Sequence, residues 1–219
     1  GNMCLMGKPG VGKTAVAEVI GYVYSKSGIL ATSIVKVVSR ADLVRGWVGQ
    51  TAAATRAMLF ETLEGVLFID EAYQLTPVDP GRDFGPEAMT EIVNFLDTYV
   101  GGSIVMVAGY EDKMMNEFFS SNKGLPRRFP HLLRLEDYSD EELTNILVRF
   151  VNSKTDQKLD QETANLLYSI VRDLGETYPD VFSNQAGDML NLGSAIAKAI
   201  HSSYGKVWEE GNLKNNKPL

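Results

Sequence analysis

The chain has 219 residues, enough to bury one substantial core, or one core plus a small appendage. Its formal net charge is −7 and its pI is near 4.9. The acidic balance gives no basic footprint, so a nucleic-acid partner is disfavoured. No apolar run approaches the roughly 18 residues that span a bilayer and no secretory signal is visible, so membrane insertion is not expected. The single cysteine, Cys4, allows no internal disulfide, which suits a reducing intracellular compartment, either the cytoplasm or an organelle stroma or matrix.

The first predicted elements are a short apolar strand over residues 3 to 6, a glycine-rich loop over residues 7 to 14, and a helix over residues 13 to 26. The loop reads Gly-Lys-Pro-Gly-Val-Gly-Lys-Thr and fits G-x-x-x-x-G-K-[ST], in which glycines let backbone N–H groups approach phosphate oxygens. The first turn of the helix favours anions. The predicted phosphate-binding residues are Pro9, Gly10, Val11, Gly12, Lys13 and Thr14.

Two side chains of this loop have separate predicted roles. Lys13 supplies a cation to the β and γ phosphates of a nucleotide. Thr14 offers its hydroxyl to Mg²⁺ at the beginning of the helix. A glycine-rich turn that fits the pattern by chance is the alternative, and the strand before it and the helix after it disfavour that interpretation.

A pair of carboxylates provides the second informative element. Asp70 and Glu71 follow the apolar run of residues 66 to 69, which predicts a strand buried on both faces. Ligands bind at the carboxyl ends of such strands. Asp70 is therefore predicted to hold Mg²⁺, and Glu71 to polarise the water that attacks a γ-phosphate. Two solvated carboxylates at the end of a core strand are the alternative.

Strand and helix patterns alternate along the chain up to Asp137, which predicts a parallel sheet with helices on both faces. The predicted strands are residues 3 to 6, 33 to 38, 66 to 70, 103 to 108 and 132 to 136. The predicted helices of this part are residues 13 to 26, 50 to 63, 86 to 100 and 111 to 119. The run Thr76 to Gly85 has turn chemistry and predicts a loop.

After Asp137 the strand signal stops. Three amphipathic helices are predicted near residues 139 to 152, 160 to 176 and 186 to 204, with Ser139 and Asp160 as N-caps. The sequence therefore predicts an α/β fold with two parts. Residues 1 to 137 form a large αβα nucleotide-binding subdomain, and residues 138 to 219 form a small helical lid with a mobile C-terminal tail.

This organisation resembles the AAA+ ATPases, which are P-loop NTPases with an αβα sandwich, a five-stranded parallel sheet and an all-helical lid. Further stretches narrow the resemblance to the CbbX/CfxQ group, which includes red-type Rubisco activase, relatives of the stage V sporulation protein K and ATPases of type VII secretion. These stretches are Ser39 to Thr51, Gly65 to Tyr73, Asp83 to Gly85, Val107 to Tyr110 and Gly124 to Pro130. The resemblance covers most of residues 2 to about 150. It implies ATP and Mg²⁺ as cofactors and ATP hydrolysis as the activity.

Members of this group work as ring hexamers that pull a protein client through a central pore. The resemblance places the pore aromatic at Trp47, with Val48 beside it between two glycines. A bulky side chain on such a loop can grip a peptide by apolar contact. A Trp packed in its own core is the alternative, and single-stranded nucleic acid is the competing guest. The basic residues around the loop, which would favour an acidic client segment, are Arg40, Arg45 and Arg56.

Ring ATPases of this kind also need a cation from the neighbouring subunit. Arg127 and Arg128 match the end of the group's Leu-Arg-Ser-Arg-Phe segment, although its first arginine position is Pro126 here. Arg128, directly before Phe129, is the preferred trans-acting arginine, and Arg127 is the second choice. A solvated pair of arginines before a strand is the alternative.

Two departures from the group bear on catalysis. The polar sensor after the fourth strand is Tyr110, and the lid position expected to hold arginine is Ala186 or Gly187. Loss of that cation implies slow hydrolysis, or a requirement for a related subunit in a mixed ring. Two further functions remain open at this point: a nucleotide-gated assembly scaffold with weak or no hydrolysis, and, as the least favoured, a nucleic-acid motor.

AAA+ modules usually carry a helix and a linker before the first strand. The resemblance therefore implies that this N-terminal segment is missing from the sequence given. That segment walls the adenine pocket, so specificity for ATP is carried over from the resemblance alone. Red-type Rubisco is one client that the resemblance allows.

Overall fold

The computed structural model describes residues 1–47, 49–77, 83–99, 101–155 and 158–215, with side chains described up to residue 202. The predicted pore-loop residue Val48 lies outside the described residues, as does the middle of the predicted loop Thr76 to Gly85. Contacts divide the chain into two units. The first contains Gly1–Lys8 and Gly12–Glu136, and the second contains Pro9–Val11 and Asp137–Leu219.

Five parallel strands form the sheet of the first unit in the order β2-β3-β4-β1-β5. They are β1 (Met3–Met6), β2 (Val35–Val38), β3 (Val66–Ile69), β4 (Ile104–Gly109) and β5 (His131–Arg134). All residues of β1 and β3 are buried, as is β4 throughout. Strands of a parallel sheet that is covered on both faces are continuous apolar runs, so these three strands could be predicted from the sequence.

Helices surround this sheet. Those of the first unit are α1 (Lys13–Lys26), α2 (Arg40–Leu43), α3 (Gln50–Glu61), a 3₁₀ helix (Ala72–Leu75), α4 (Gly85–Thr98), α5 (Glu111–Lys113), a π-helical turn (Met114–Phe118), α6 (Phe119–Ser121) and α7 (Leu125–Arg128). Two apolar clusters form the core because successive residues of a strand face opposite sides. Cys4 and Met6 belong to one cluster, and Met3 and Leu5 belong to the other. Burial raises the pKa of the Cys4 thiol to about 12.

Three helices make up the second unit: α8 (Asp140–Lys154), α9 (Gln161–Thr177) and α10 (Ala186–Asn215). Ser139 and Asp160 cap α8 and α9 as predicted, accepting hydrogen bonds from the backbone N–H groups of Glu142 and Thr163 respectively. Each cap satisfies one donor that the first helical turn leaves unpaired. The apolar core of this unit contains Leu143, Leu147, Val151, Val171 and Met189.

The predicted fold class is confirmed: a five-stranded parallel sheet is flanked by helices and followed by a helical part. The sequence analysis missed α2, α7 and the 3₁₀ helix, since four residues are too few to show an apolar period. It also predicted one helix over residues 111 to 119, where the structure has α5 and α6 joined by a π-helical turn. Among the described residues, no helix is both long and apolar enough to cross a bilayer.

Candidate nucleotide site

The glycine-rich loop adopts the backbone that its sequence predicts. Gly10 and Gly12 have φ angles of 74° and 89°, in the left-handed region that side chains disfavour. Gly12 is the N-cap of α1, and its carbonyl accepts the first helical hydrogen bond from Val16 N at 2.9 Å. The loop therefore ends where the unpaired N–H groups of α1 begin, which is an arrangement suited to an anion.

Lys13 is 8% exposed although it is charged. Its Nζ donates to the carbonyl oxygens of Gly7 at 2.8 Å and Lys8 at 2.9 Å. Burial lowers the pKa of the Lys13 ammonium from its ordinary value, and the carboxylates of Glu71 and Asp70 act in the opposite direction. Lys13 is thus close enough to both predicted carboxylates to interact with them through space.

The sheet order explains this proximity. Strand β4 lies between β1 and β3, with Met6 paired to Gly109 and Ile69 paired to Val107. All three strands run in the same direction, so the residues that follow them meet at one edge of the sheet. Asp70 extends β3 by one residue, because its N–H donates to the Val38 carbonyl at 2.8 Å.

Glu71 has a left-handed backbone, with φ 50°, at the point where β3 turns into the 3₁₀ helix. Its N–H donates to Asp70 Oδ1 at 3.1 Å, and its Oε2 accepts a hydrogen bond from the Tyr73 hydroxyl. A non-glycine residue with positive φ is uncommon and marks a constrained position. The two carboxylates therefore lie at fixed places at the end of β3.

Tyr110 lies beside the same cluster, directly after β4. Its ring centroid is 5.9 Å from Lys13 Nζ and 5.6 Å from Lys113 Nζ. Sequence reasoning placed Tyr110 at the site but missed Tyr73 and Lys113. Tyr73 could have been considered because it follows Glu71, the predicted base, by two residues in the sequence.

Two oxygen donors, the Thr14 hydroxyl and the Asp70 carboxylate, were predicted to hold Mg²⁺. No cluster of three or more His, Cys, Asp or Glu side chains suited to a metal occurs among the described residues. Mg²⁺ usually binds proteins through one or two carboxylates and takes its remaining ligands from phosphates and water. The donor set present therefore fits Mg²⁺ held together with a nucleotide.

The tip of the glycine-rich loop, Pro9–Val11, belongs to the second unit. Within that unit the Tyr138 hydroxyl donates to the Val11 carbonyl at 3.2 Å, and Ala186 N donates to the Gly10 carbonyl at 3.3 Å. Ala186 is the first residue of α10 and is one of the two positions where the resemblance expects arginine. Its methyl group offers no charge to a phosphate.

The two predicted trans-acting arginines differ in their surroundings. Arg128 forms a bidentate ion pair with Asp97, joining Nε to Oδ1 at 2.8 Å and Nη2 to Oδ2, and its Nη1 donates to the Gly124 carbonyl at 2.8 Å. Its side chain is 10% exposed. Arg127 is exposed. Arg127 is thus the more accessible of the two to a neighbouring molecule, and the trans-acting role that the sequence analysis gives first to Arg128 stays a prediction.

Trp47 is 75% exposed, so it is not a core residue of its own unit. Gly46 and Gly49 flank this segment, and a Cβ on either glycine would meet no atom within 4 Å. Gly49 has φ 78° and caps the beginning of α3. The alternative of a Trp packed in its own core is therefore excluded, and the contact role of this loop stays a prediction.

Two of the three arginines expected to make this loop basic are paired with carboxylates. Arg40 pairs with Asp83 at 2.6 Å, and Arg56 forms a bidentate pair with Glu91 at 2.8 and 2.9 Å. Each pair offsets the positive charge locally. The structure therefore gives little support to the preference for an acidic client segment.

A parallel sheet with a glycine-rich loop of this pattern after an interior strand, β1, and two carboxylates after β3 defines a P-loop NTPase fold. The model of the AAA family, "ATPase family associated with various cellular activities", matches residues 3–135. The chain belongs to the AAA family. This finding and the relatives below confirm the resemblance to the CbbX/CfxQ group.

Protein CbbX from Cereibacter sphaeroides is 38% identical over 168 residues, which are 76% of this chain and 54% of that protein. The chloroplastic ribulose bisphosphate carboxylase/oxygenase activase from Cyanidioschyzon merolae is 37% identical over 145 residues, 66% of this chain and 49% of that protein. The chain spans about half the length of these curated relatives. Among solved structures, the FIGL-1 AAA domain in complex with ADP has a TM-score of 0.61 at 22% identity, covering 95% of this chain and 64% of that one, which supports the fold.

Proposed function

We propose that this chain binds and hydrolyses Mg·ATP and that, assembled as a ring, it remodels or threads a protein client. The observation that carries the proposal is the buried ammonium of Lys13, which interacts with both Asp70 and Glu71. A buried cation beside two carboxylates at the carboxyl edge of a parallel sheet is suited to a triphosphate and its metal.

Nucleotide binding is assigned to the glycine-rich loop. Gly12 lets the backbone approach the phosphates at the beginning of α1, and Lys13 neutralises the β and γ phosphates. Thr14 and Asp70 would hold Mg²⁺, which supplies charge neutralisation at the phosphates when it is bound. The remaining residues assigned to nucleotide binding are Pro9, Gly10 and Val11.

Hydrolysis is assigned to Glu71. Its carboxylate orients a water molecule and accepts a proton from it, while the water oxygen bonds to the γ phosphorus. The bond from that phosphorus to the bridging oxygen breaks, and the electron pair leaves with ADP. Tyr110, whose ring centroid lies 5.9 Å from Lys13 Nζ, is assigned as a polar sensor.

The catalytic cation from a neighbouring subunit is assigned to Arg127, which is exposed, rather than to Arg128. Such a cation stabilises the charge that develops on the transferred phosphoryl group. This assignment makes hydrolysis depend on assembly. A ring, with six subunits as in the group it resembles and with or without a related subunit, supplies the arginine to each site in turn.

Client contact is assigned to the loop that carries Trp47, whose ring is free to contact a peptide by apolar burial. The name of the Cyanidioschyzon merolae relative makes red-type Rubisco one client to test. A protein client is favoured over nucleic acid, because the net charge is −7 and two of the three nearby arginines are paired with carboxylates.

One observation favours a second function, a nucleotide-gated scaffold. Ala186 begins α10 at one of the two positions where the resemblance expects arginine, so this position offers no cation. Loss of a contact made in the transition state slows hydrolysis by orders of magnitude while ATP binding continues. A chain of that kind would assemble with ATP and release little phosphate.

Phosphate release measured against protein concentration, in the presence of Mg·ATP, separates these functions. The proposal expects turnover per subunit to rise as rings form, Glu71→Gln to abolish turnover while it retains Mg·ATP, and the exposed control Glu117→Gln to behave like the parent chain. Assembly with ATP but without phosphate release would establish the scaffold instead. Stimulation by single-stranded nucleic acid that weakens with salt would establish a nucleic-acid motor.

A further inference from the structure

Tyr73 lies two residues after the proposed base and contacts it directly. It belongs to the 3₁₀ helix Ala72–Leu75, and its hydroxyl donates a hydrogen bond to Glu71 Oε2. The residue is 8% exposed. A hydrogen bond to a carboxylate from a buried donor is stronger and more directional than one at the surface.

Three neighbours hold the Tyr73 ring in place. A Cβ on Gly109 would lie 2.9 Å from Tyr73 Cδ1, so the ring packs against the bare backbone at the end of β4. Lys113 Nζ lies 4.6 Å from the ring centroid, in the range of a cation–π contact. The Tyr110 ring is 6.3 Å away at a tilt of 53°. The hydroxyl is therefore a fixed donor rather than a rotating one.

The Tyr73 hydroxyl keeps its proton in this position. Burial, followed by the neighbouring Glu71 carboxylate, raises the pKa of Tyr73 above its ordinary value. The phenol thus donates and the carboxylate accepts. A carboxylate has about four acceptor positions on its two oxygens, so Oε1 of Glu71 stays free to accept a proton from water.

We propose that Tyr73 is a positioning residue for hydrolysis, which orients the Glu71 carboxylate through this hydrogen bond. This inference rests on the proposed role of Glu71 as the base. Strand β3 and the left-handed backbone of Glu71 set the position of its Cα and Cβ atoms. The hydrogen bond from Tyr73 sets the position of the carboxylate. A base held in this way directs its free oxygen at the attacking water before the nucleotide arrives.

Tyr73→Phe removes the donor and keeps the ring. The expected result is a fall in kcat of about tenfold, the effect of losing one hydrogen bond to a charged group, with KM for ATP unchanged within about twofold. Tyr99→Phe is the matched control, because Tyr99 stacks on Phe95 in the same unit and is 37% exposed. Incorporation of p-aminophenylalanine at position 73, which restores an N–H donor on the ring, should recover most of the lost kcat.

A double-mutant cycle shows whether Tyr73 acts through Glu71. In the Glu71→Gln background, residual single-turnover hydrolysis should be the same with Tyr or Phe at position 73, since the oriented carboxylate is already gone. An independent further loss in that background overturns the inference. An unchanged or raised kcat in Tyr73→Phe, with a thermal unfolding midpoint like that of Tyr99→Phe, also overturns it, and the proposed ATPase function then stands unaffected.

A readout without turnover separates the two proposals. In protein with ¹³C-labelled glutamate at constant neutral pH, the Glu71 carboxyl resonance should move in Tyr73→Phe and stay in place in Tyr99→Phe. If the parent chain hydrolyses no ATP, the proposed function fails, and a shifted resonance still supports the contact. A resonance that does not move overturns the role of Tyr73 whatever the activity.

Discussion

Arg128 binds Asp97 through two of its nitrogens, Nε and Nη2, and thereby ties α7 to α4. A bidentate arginine–carboxylate pair has a fixed planar geometry. The pair holds the short helix that also carries Arg127. The Arg128 side chain is therefore largely buried, while Arg127 on the same helix is exposed to solvent.

The ion pair should be visible in the titration of Asp97. The hydrogen bond from Arg128 lowers the pKa of Asp97 below its ordinary value of 3.8, and Arg127 is the smallest of the contributions. Stability from this pair is thus present above about pH 4 and is lost as the pH falls through the folded-state pKa. Carboxyl ¹³C NMR should show the Asp97 pKa rising towards 3.8 in Arg128→Ala and nearly unchanged in Arg127→Ala. The same midpoint in both variants would contradict the pairing.

Arg127 should act on a neighbouring subunit. Arg127→Ala is expected to lower assembly-dependent ATP hydrolysis by about a thousandfold or more, as for other trans-acting arginines, with Mg·ATP binding retained. Mixing Arg127→Ala with Glu71→Gln should restore part of the phosphate release. An interface where the Arg127→Ala subunit holds the nucleotide and the Glu71→Gln subunit faces it combines an intact base with an intact arginine, whereas the reverse interface has neither. Mixtures as inactive as their components would rule out the trans role of Arg127.

Gly12 should be required for its backbone conformation. Gly12→Ala at φ 89° is expected to cost about 1–2 kcal/mol of stability, since side chains disfavour left-handed backbone. Gly28→Ala is the matched control: its φ is 75° and a Cβ there would meet no atom within 4 Å. Thermal unfolding should show both losses, and addition of Mg·ATP should raise the midpoint only in Gly28→Ala. Equal stabilisation by nucleotide in both variants would argue against the phosphate assignment.

Trp47 is expected to contribute to contact with a client protein and to contribute little to the stability of the fold. Because the side chain is 75% exposed, Trp47→Ala is expected to change stability by no more than about 0.5 kcal/mol. The increase in hydrolysis caused by an unfolded probe protein, reduced and carboxymethylated lactalbumin, should disappear in Trp47→Ala and persist in Trp47→Phe. Tyr22→Ala, which removes a 56% exposed aromatic on α1, serves as the control. Full stimulation in Trp47→Ala would exclude this loop as the contact.

The sheet and the long helices could be predicted because each strand or helix has a local pattern of apolar residues or a capping residue. Burial of β3 on both faces requires four apolar residues in a row, and the caps of α8 and α9 use local hydrogen bonds that the sequence displays directly. Helix α2 was missed because it has only four residues after its N-cap Ser39, and one of them is the Asp42 of the capping box. Its place depends on packing against other elements.

The placement of three predicted site residues followed from the sequence in the same way. Lys13, Asp70 and Glu71 belong to local patterns whose strands end at one edge of the sheet. The partner of Arg128 was not readable, since Asp97 lies 31 positions away on another helix. The contact between Tyr73 and Glu71 depends on the left-handed backbone at Glu71. That backbone could not be predicted, because glutamate rarely adopts a positive φ.

The interior position of β1, between β4 and β5, has a consequence for folding during synthesis. Met3 pairs with Met106 on one side and with His131 on the other, so the earliest strand of this chain has both of its neighbours more than a hundred residues later. Pairing over such separations forms slowly. On the ribosome β1 therefore cannot complete its pairing in the sheet until β4 and β5 have emerged, and apolar segments exposed in this way are recognised by chaperones. The glycine-rich loop that follows β1 therefore reaches its final position only after the sheet has formed on both sides of β1.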